Sequence, residues 1–524
     1  YTCFGITETG ARIGSALLTM AAALLTAATA ARLFPRLPLV GLWAGLAHGT
    51  CVWAAVAGRA ATPDATLGFL TTLALFLAAG GLVPGTGEAG SLTIDRAAAV
   101  GAACGAGMLA KGPIGLVLPL AALGLAAWWQ DAAAARGIVG ACRAAVAAAG
   151  RLRPLVIVGA SLALAGPWYA LVTWRTEGAW LREFLGVHNL ERFAVPLEGH
   201  GGPPWYYLPV LAAGFFPWSI VAAVTAVHTI RGLWRDHDAT ASRLVITWAM
   251  VWVVAFSCAG TKLPGYVWPA YPALAIATAA FLEEWRLARP PALERWMRLA
   301  WSILGLAGLA IGTALVFAAV TVGRGQTWLG LVGIVPVAGA ALAWREQSRM
   351  RQGVAIGWLA AAGCCTVAFL ASAAAGSLGR DTGVRPLVER VAGGRDGWPA
   401  GTWASFRCTV PSLVFYSGAA ARADAVEMLY RPEAARGFVE SHPDALFVVP
   451  AASADDLLNA LPPGHGVLAR SRLLSGYREL CLVGAIGQPL AATRHDRLAR
   501  PAGPADTLTV QDLPDRPLAV SRAD

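Results

Sequence analysis

The sequence predicts an α-helical polytopic membrane protein of about twelve transmembrane helices, followed by a soluble α/β domain. Three observations carry this prediction. Apolar residues make up 56% of the 524 residues and charged residues only 14%, where a soluble domain carries about a quarter. Apolar runs near the roughly 20 residues needed to cross a bilayer recur from the N-terminus onward. Beyond residue 378 the apolar runs shrink to strand length and alternate with short helical patterns, as in a small α/β sandwich. The resulting domains are 1–378 in the membrane, 379–486 as an accessory α/β domain and 487–524 as a disordered tail rich in Pro, Arg and Asp.

Taken in order, the spans are expected at 12–33, 38–57, 65–83, 96–110, 113–129, 154–174, 205–229, 244–260, 264–284, 299–322, 327–344 and 353–375. The short pair 96–110 and 113–129 is separated by Lys111-Gly112 and reads either as two spans or as one broken helix. Loop charge decides between them. With two spans, one set of alternate loops holds 17 cationic residues and the other 8. The positive-inside rule then puts the richer set in the cytoplasm, with Tyr1 and the C-terminal domain on the other side. A single span would scramble the alternation. In the C-terminal domain, strands are expected at 412–416, 445–449 and 479–483, with helices at 384–392, 432–440 and 453–460.

The formal charge of +10 does not indicate a nucleic-acid partner, because the arginines sit in short loops between apolar segments. The nine cysteines are scattered apart from Cys364-Cys365, and no CxxC is present, which argues against a zinc-thiolate site. Cys408 and Cys481 share the C-terminal domain and read equally as a pair or as buried free thiols. Trp205, Tyr206, Tyr207 and Trp218 flank a span and read as an interfacial aromatic belt.

Residues with chemical potential gather at the loops poor in positive charge. Thr62-Pro63-Asp64 opens a span. It reads as a helix start with a capping Thr, a Pro in the first turn and an acid on the dipole, and also as an acid at the mouth of a cavity. The chain has 39 arginines and two lysines, Lys111 and Lys262, both at outer helix ends before Gly or Pro. A cation at a helix C-terminus is the ordinary reading. The choice of lysine points further, since a compact ammonium binds phosphate as a point charge. The longest outer loop, 175–204, contains His188, Glu191, Arg192 and His200. The four-residue spacing of His188 and Arg192 puts both on one helical face, suited to phosphate or metal. Glycines beside His200 allow a loop to approach a ligand closely.

In order, the motifs are Thr62-Pro63-Asp64, Lys111-Gly112-Pro113, Gly166-Pro167-Trp168-Tyr169 and His188-x-x-x-Arg192-Phe193, then 202–209 (GPPWYYLP), Phe216-Pro217-Trp218 and Thr261-Lys262-Leu263-Pro264-Gly265-Tyr266. Together they resemble the polyprenyl-phosphate-dependent glycosyltransferases of the GT-C class, which include aminoarabinose transferases acting on lipid A and protein mannosyltransferases. The aminoarabinose-transferase-like branch is the nearest in motif order, and the resemblance covers about residues 1–375. Val187 departs from the pattern, where family members often carry an acid before the His.

The resemblance implies an inverting transfer of a sugar from a polyprenyl-phosphate donor to a lipid, glycan or protein acceptor. It implies a bacterial inner-membrane protein whose C-terminal domain is periplasmic. Family members have about thirteen spans, so twelve spans starting outside imply a preceding helix. The family's first outer loop, which carries the main catalytic acid and a lysine on the lipid phosphate, would lie with that helix. In the chain itself Arg192, Lys262, Tyr266 and Lys111 are the implied donor-phosphate ligands, and Asp64 is a secondary acid. His188 is a candidate ligand for a divalent metal ion or a contact to the phosphate, and Glu191 and His200 are loop residues facing the acceptor. The alternative is a lipid-linked-sugar flippase or transporter. Such proteins place ionisable groups near the bilayer midplane, whereas here they collect at one face.

Overall fold

The computed structural model describes residues 4–82, 90–132, 137–196, 201–234, 239–321, 326–374, 383–389, 402–408, 410–417, 426–472 and 479–487. The chain divides into two compact units, residues 1–375 and 376–524. Residues expected to form the disordered tail lie outside the described residues, apart from Gly487.

Among the described residues the regular elements of the first unit are all helices. Its helices are α1 (Glu8–Leu33), α2 (Val40–Gly49), α3 (Val52–Arg59), α4 (Asp64–Leu82), α5 (Ile94–Lys111), α6 (Ile114–Ala132), α7 (Gly137–Leu152) and α8 (Pro154–Arg175). After short elements α9 (Ala179–Arg182) and α10 (Arg192–Ala194) come α11 (Tyr207–Gly214), α12 (Ala222–Gly232), α13 (Ala239–Cys258) and α14 (Tyr271–Ala288). The last three are α15 (Pro291–Thr321), α16 (Ile334–Ser348) and α17 (Gln352–Phe369). Among the described residues nine helices are long and apolar enough to cross a membrane, and eleven if each of two bent pairs counts as one span. The pairs are α2 with α3, bent by 58°, and Pro204–Gly214 with Trp218–Gly232, bent by 116°. Each expected span coincides with one of these or with α5. That helix has 18 residues but carries Asp95, Arg96 and Lys111 among them, so it does not stand among the nine. α5 and α6 are separate helices meeting at Gly112 and Pro113, in line with the two-span reading of that region.

Small residues let these helices approach closely, as is common where lipid removes the hydrophobic drive for association. A Cβ added at Gly105 of α5 would lie 2.7 Å from the Ser161 carbonyl oxygen of α8. Ser161 Oγ donates to the Gly101 carbonyl at 2.8 Å. Gly308 and Gly312 of α15 meet Gly333 and Gly330 in the same way.

Large aromatic rings fill the centre: Trp218, Trp248, Trp252, Trp268, Trp285 and Trp301 are all fully buried. The indole N–H groups of Trp218, Trp248, Trp285 and Trp301 find acceptors, such as Thr50 Oγ1 for Trp218 at 3.0 Å and the Pro269 carbonyl for Trp248 at 2.7 Å, whereas that of Trp252 has none among the described residues. This corrects the belt reading for part of its set. Trp218 and Tyr207 are core residues, and Trp205 is 63% exposed. The 116° bend between α11 and α12 turns Trp218 inward, which span counting does not foresee.

The second unit is a five-stranded mixed sheet of order β2-β1-β3-β5-β4. Its strands are β1 (Trp403–Phe406), β2 (Glu427–Leu429), β3 (Leu446–Pro450), β4 (His465–Arg472) and β5 (Glu479–Ala485). β1 pairs in parallel with β2 and β3, and β5 pairs antiparallel with β3 and β4. Alternate residues serve opposite faces, as a strand requires. Phe447, Val449, Cys481 and Val483 pack with Phe438 and Leu457 on one side. Leu446, Val448, Leu480 and Leu482 pack with Leu387 and Leu413 on the other.

The expected strands at 445–449 and 479–483 match β3 and β5, and helices form at Pro432–Ser441 and Ala454–Ala460. The expected strand at 412–416 is instead the helix Pro411–Tyr416. Pro411 starts its first turn, which suits that residue, and Val410, Leu413 and Tyr416 face the core at three-residue spacing. The helix expected at 384–392 is described as Arg385–Val388. Cys408 and Cys481 are both free thiols.

Candidate active site

The chain places its two lysines, Asp64, Arg192 and Tyr266 at one end of the helical unit. Asp64 is the first residue of α4, and the Pro63 carbonyl accepts the Leu67 N–H at 2.9 Å. The Thr62 hydroxyl donates to Asp64 Oδ2 at 3.2 Å, so it orients the carboxylate rather than capping the helix. Lys111 ends α5, where Gly112 turns the chain at φ +82°. A side chain there would meet the Phe184 ring, with Cζ 2.8 Å from an ideal Cβ. A glycine is therefore required on both conformational and spatial grounds.

These two helix ends meet. Lys111 Nζ forms an ion pair with Asp64 Oδ1, the side chains being 21% and 24% exposed. The same ammonium lies over the Tyr266 ring, 5.1 Å from its centroid. Arg192 Nη1 donates to Tyr266 Oη at 3.3 Å. Asp64, Lys111, Tyr266 and Arg192 thus form one chain of contacts, although they are up to 202 residues apart in sequence.

Arg192 follows a π-helical segment, Glu183–Glu191. Such segments bond i→i+5 and often occur at functional sites. The wider turn means that the four-residue spacing of His188 and Arg192 falls short of a full turn. Aromatic packing anchors the segment: Trp180 and Phe184 stack at 4.6 Å, and Tyr169 packs against both. On its other side, the N–H groups of Gly260 and Thr261 donate to the carbonyls of Phe193 at 2.7 Å and Arg192 at 3.1 Å. Thr261 Oγ1 adds a bond to the Val195 carbonyl at 3.0 Å. The Thr261-to-Tyr266 motif therefore holds Arg192 by its backbone while presenting Tyr266 to its side chain.

Lys262 behaves differently from Lys111. It is 6% exposed, and its Nζ donates to the Ala259 carbonyl at 2.5 Å, just past the end of α13. That is a helix-end cation, drawn back onto its own helix. Glu191 is exposed beside Arg192. His188 has its backbone in the π-helical segment, but its side chain lies outside the described residues, as does the whole of His200. Among the described residues no three His, Cys, Asp or Glu side chains gather as a metal site. Sequence reading missed Thr62 as a partner of Asp64 and Phe184 as the wall beside Gly112. The glycine after Lys111 was the available signal for the second.

No protein-family profile matches the chain. In sequence it is similar to the undecaprenyl phosphate-alpha-4-amino-4-deoxy-L-arabinose arabinosyl transferase of Pectobacterium carotovorum, 32% identical over 234 residues, or 43% of this chain and 39% of that protein. The corresponding transferase of an Enterobacter species is 30% identical over 285 residues, 53% of this chain and 46% of that protein. The chain thus spans less than half the length of these curated relatives. In structure it is similar to ArnT from Cupriavidus metallidurans. The likeness to the form bound to undecaprenyl phosphate has a TM-score of 0.66 at 20% identity, over 93% of this chain and 86% of that one. Against the apo form the TM-score is 0.68, over 96% and 87%. The chain is therefore similar in sequence, over about half of its length, to undecaprenyl-phosphate aminoarabinose arabinosyltransferases, and it shares the fold of ArnT.

Proposed function

We propose that this chain is a membrane glycosyltransferase that moves a sugar from a polyprenyl-phosphate donor to a lipid A-like acceptor by inversion at the sugar carbon. The observation that carries the reading is the contact chain of Asp64, Lys111, Tyr266 and Arg192 at one end of the helical unit. Homology to proteins named for this transfer supports it. The finer topology belongs to the same proposal: α5 as a twelfth span, the arginine-rich loops in the cytoplasm, and the C-terminal sheet domain in the periplasm.

In the reaction, the bond from the sugar's anomeric carbon to the phosphate oxygen breaks, and the phosphate keeps the electron pair. An acceptor oxygen bonds to the same carbon and loses its proton to a carboxylate. Arg192, Lys111 and the Tyr266 hydroxyl would stabilise the charge that grows on the leaving phosphate. Asp64 orients the Lys111 ammonium toward the Tyr266 ring. Lys262 is assigned to the same site through its position in the motif, and its bond to Ala259 makes its contribution one of holding the 259–266 segment in place.

Arg192→Ala tests the reading in membranes supplied with polyprenyl-phosphate-linked sugar. Transfer should fall by about 100-fold or more, as when one transition-state donor is lost, with the protein inserted normally. Transfer at the unsubstituted rate would overturn the assignment. A transporter without transferase chemistry would leave the glycan or lipid product absent for both chains.

A further inference from the structure

The Gly166-Pro167-Trp168-Tyr169 motif supplies no member of the contact chain of Asp64, Lys111, Tyr266 and Arg192, yet its tyrosine reaches the supports of both cations. Ser161 and Tyr169 lie on α8, and each donates its hydroxyl to a carbonyl of α5: Ser161 Oγ to Gly101 at 2.8 Å and Tyr169 Oη to Met108 at 2.9 Å. The paired positions advance together, by seven residues on α5 and eight on α8, about 10–12 Å along each helix. α5 and α8 therefore run parallel and side by side. The Tyr169 bond falls in the last turn of α5, the turn that ends at Lys111.

This bond does not rescue a stranded carbonyl. The Met108 carbonyl already accepts the Gly112 N–H at 2.8 Å, the bond that closes the end of α5. Tyr169 occupies its second lone pair. Met108 precedes Lys111 by three residues, so the two are neighbours on the helix surface. A hydroxyl fixed on this turn restrains a helix end that otherwise frays, and with it the Lys111 side chain beside Asp64. The ring of Tyr169 serves the other cation. It packs against Trp180 and Phe184, with centroids 5.6 and 6.0 Å away. Phe184 belongs to the π-helical segment that leads into Arg192, and its carbonyl accepts from Asn189 Nδ2 of the same segment at 2.6 Å.

We infer that Tyr169 is a positioning residue that sets Lys111 and Arg192 at a fixed spacing for the donor phosphate. Its hydroxyl holds the end of α5, and its ring backs the segment that carries Arg192. It acts through these two side chains, as a support whose own packing keeps charged groups in register. That the ligand is a donor phosphate rests on the function proposed above; the hold on Lys111 does not.

Tyr169→Phe removes the hydroxyl and keeps the ring. Lys111 and Lys262 are the two lysines of the chain, so brief acylation of the whole protein by an amine-reactive ester, mapped by mass spectrometry, reads each one separately. In Tyr169→Phe the Lys111 rate should rise about 2- to 10-fold, the range of one lost hydrogen bond. Lys262, 6% exposed, should keep its rate and so show that the fold is intact. An unchanged Lys111 rate, or an equal rise at both lysines, would overturn the inference. With polyprenyl-phosphate-linked sugar supplied, the KM for the donor should rise by a similar factor at nearly constant kcat. A merely structural role would remove active molecules and lower the apparent kcat at constant KM, which would overturn the inference as well. Tyr169→Leu, which also loses the ring, should raise KM beyond that of Tyr169→Phe; an equal KM would overturn the part assigned to the ring. Absence of transfer by the unsubstituted chain would refute the transferase reading, and the acylation rates would still decide whether Tyr169 holds Lys111.

Discussion

At the arginine-rich end of the bundle Glu283 is completely buried. It accepts from the Leu39 N–H at 3.1 Å, from Trp43 Nε1 at 3.0 Å and from Arg286 through two bonds of 2.7 Å. Glu294 likewise gathers Trp285, Gln347 and Gln352. At the lysine-bearing end, Asp64 and Lys111 are paired but keep 24% and 21% of their side-chain surface open. The buried end spends its charge on joining helices, with fork-shaped guanidinium bonds that fill the carboxylate's acceptor sites. The open end leaves charge within reach of a ligand. Pairing alone does not distinguish architecture from chemistry; pairing together with exposure does.

Breaking each end should show the difference. Glu283→Ala strands Arg286, Trp43 and the Leu39 N–H, and should cost about 3–5 kcal/mol, the penalty for removing one partner of a buried pair. Thermal unfolding in detergent would record it, and a near-normal Tm would undo the comparison. Gly112→Ala forces a Cβ toward Phe184 at positive φ and should cost about 1–3 kcal/mol, measurable the same way, with Arg192 displaced and transfer reduced.

Asp64→Asn should change stability by less than about 1 kcal/mol, because the pair is partly hydrated. Its effect belongs to function: the KM for the donor lipid should rise as Lys111 loses its orientation. A collapse of kcat with KM unchanged would instead make Asp64 the proton acceptor. Lys262→Met removes the ammonium from the end of α13 and should lower stability by about 1 kcal/mol. Rescue of transfer by Lys262→Arg would support holding of the segment over direct phosphate binding.

At neutral pH the smallest effect lies in the C-terminal domain, where burial pushes the Cys408 thiol up to about 11 from 9.0. A thiol raised in the folded state contributes stability that is fully present below pH 9 and lost as pH rises through 11. Cys408→Ser should flatten the alkaline limb of that domain's unfolding curve. Alkylation of native Cys408 should stay slow at neutral pH, where the thiolate is scarce.

Much of this organisation is legible from residues. Spans show because a bilayer demands long apolar runs, and each expected span corresponds to a helix or bent helix pair. Lys111 shows because the chain otherwise uses arginine, Asp64 because it opens a span at the same face and Tyr266 through the motif resemblance, and the three do meet. The 412–416 segment misleads because a short apolar run has no period of its own, and Pro411 together with contacts at three-residue spacing makes it helical. Trp218 misleads because a bend within a span turns a ring from lipid to core. Lys262 shares a motif with Tyr266, yet its side chain turns back to Ala259.

By itself the sequence determined the helical membrane class, the arginine bias between loops, the change to an α/β domain and the residue types of the site. Those follow from local composition, since each apolar run or cation faces the same solvent choice wherever it folds. Only the tertiary structure decided which ends meet and that Lys111 rather than Lys262 reaches Asp64. Those depend on contacts between residues far apart in the chain, set by how closely small residues allow helices to pack and by which buried donors find acceptors.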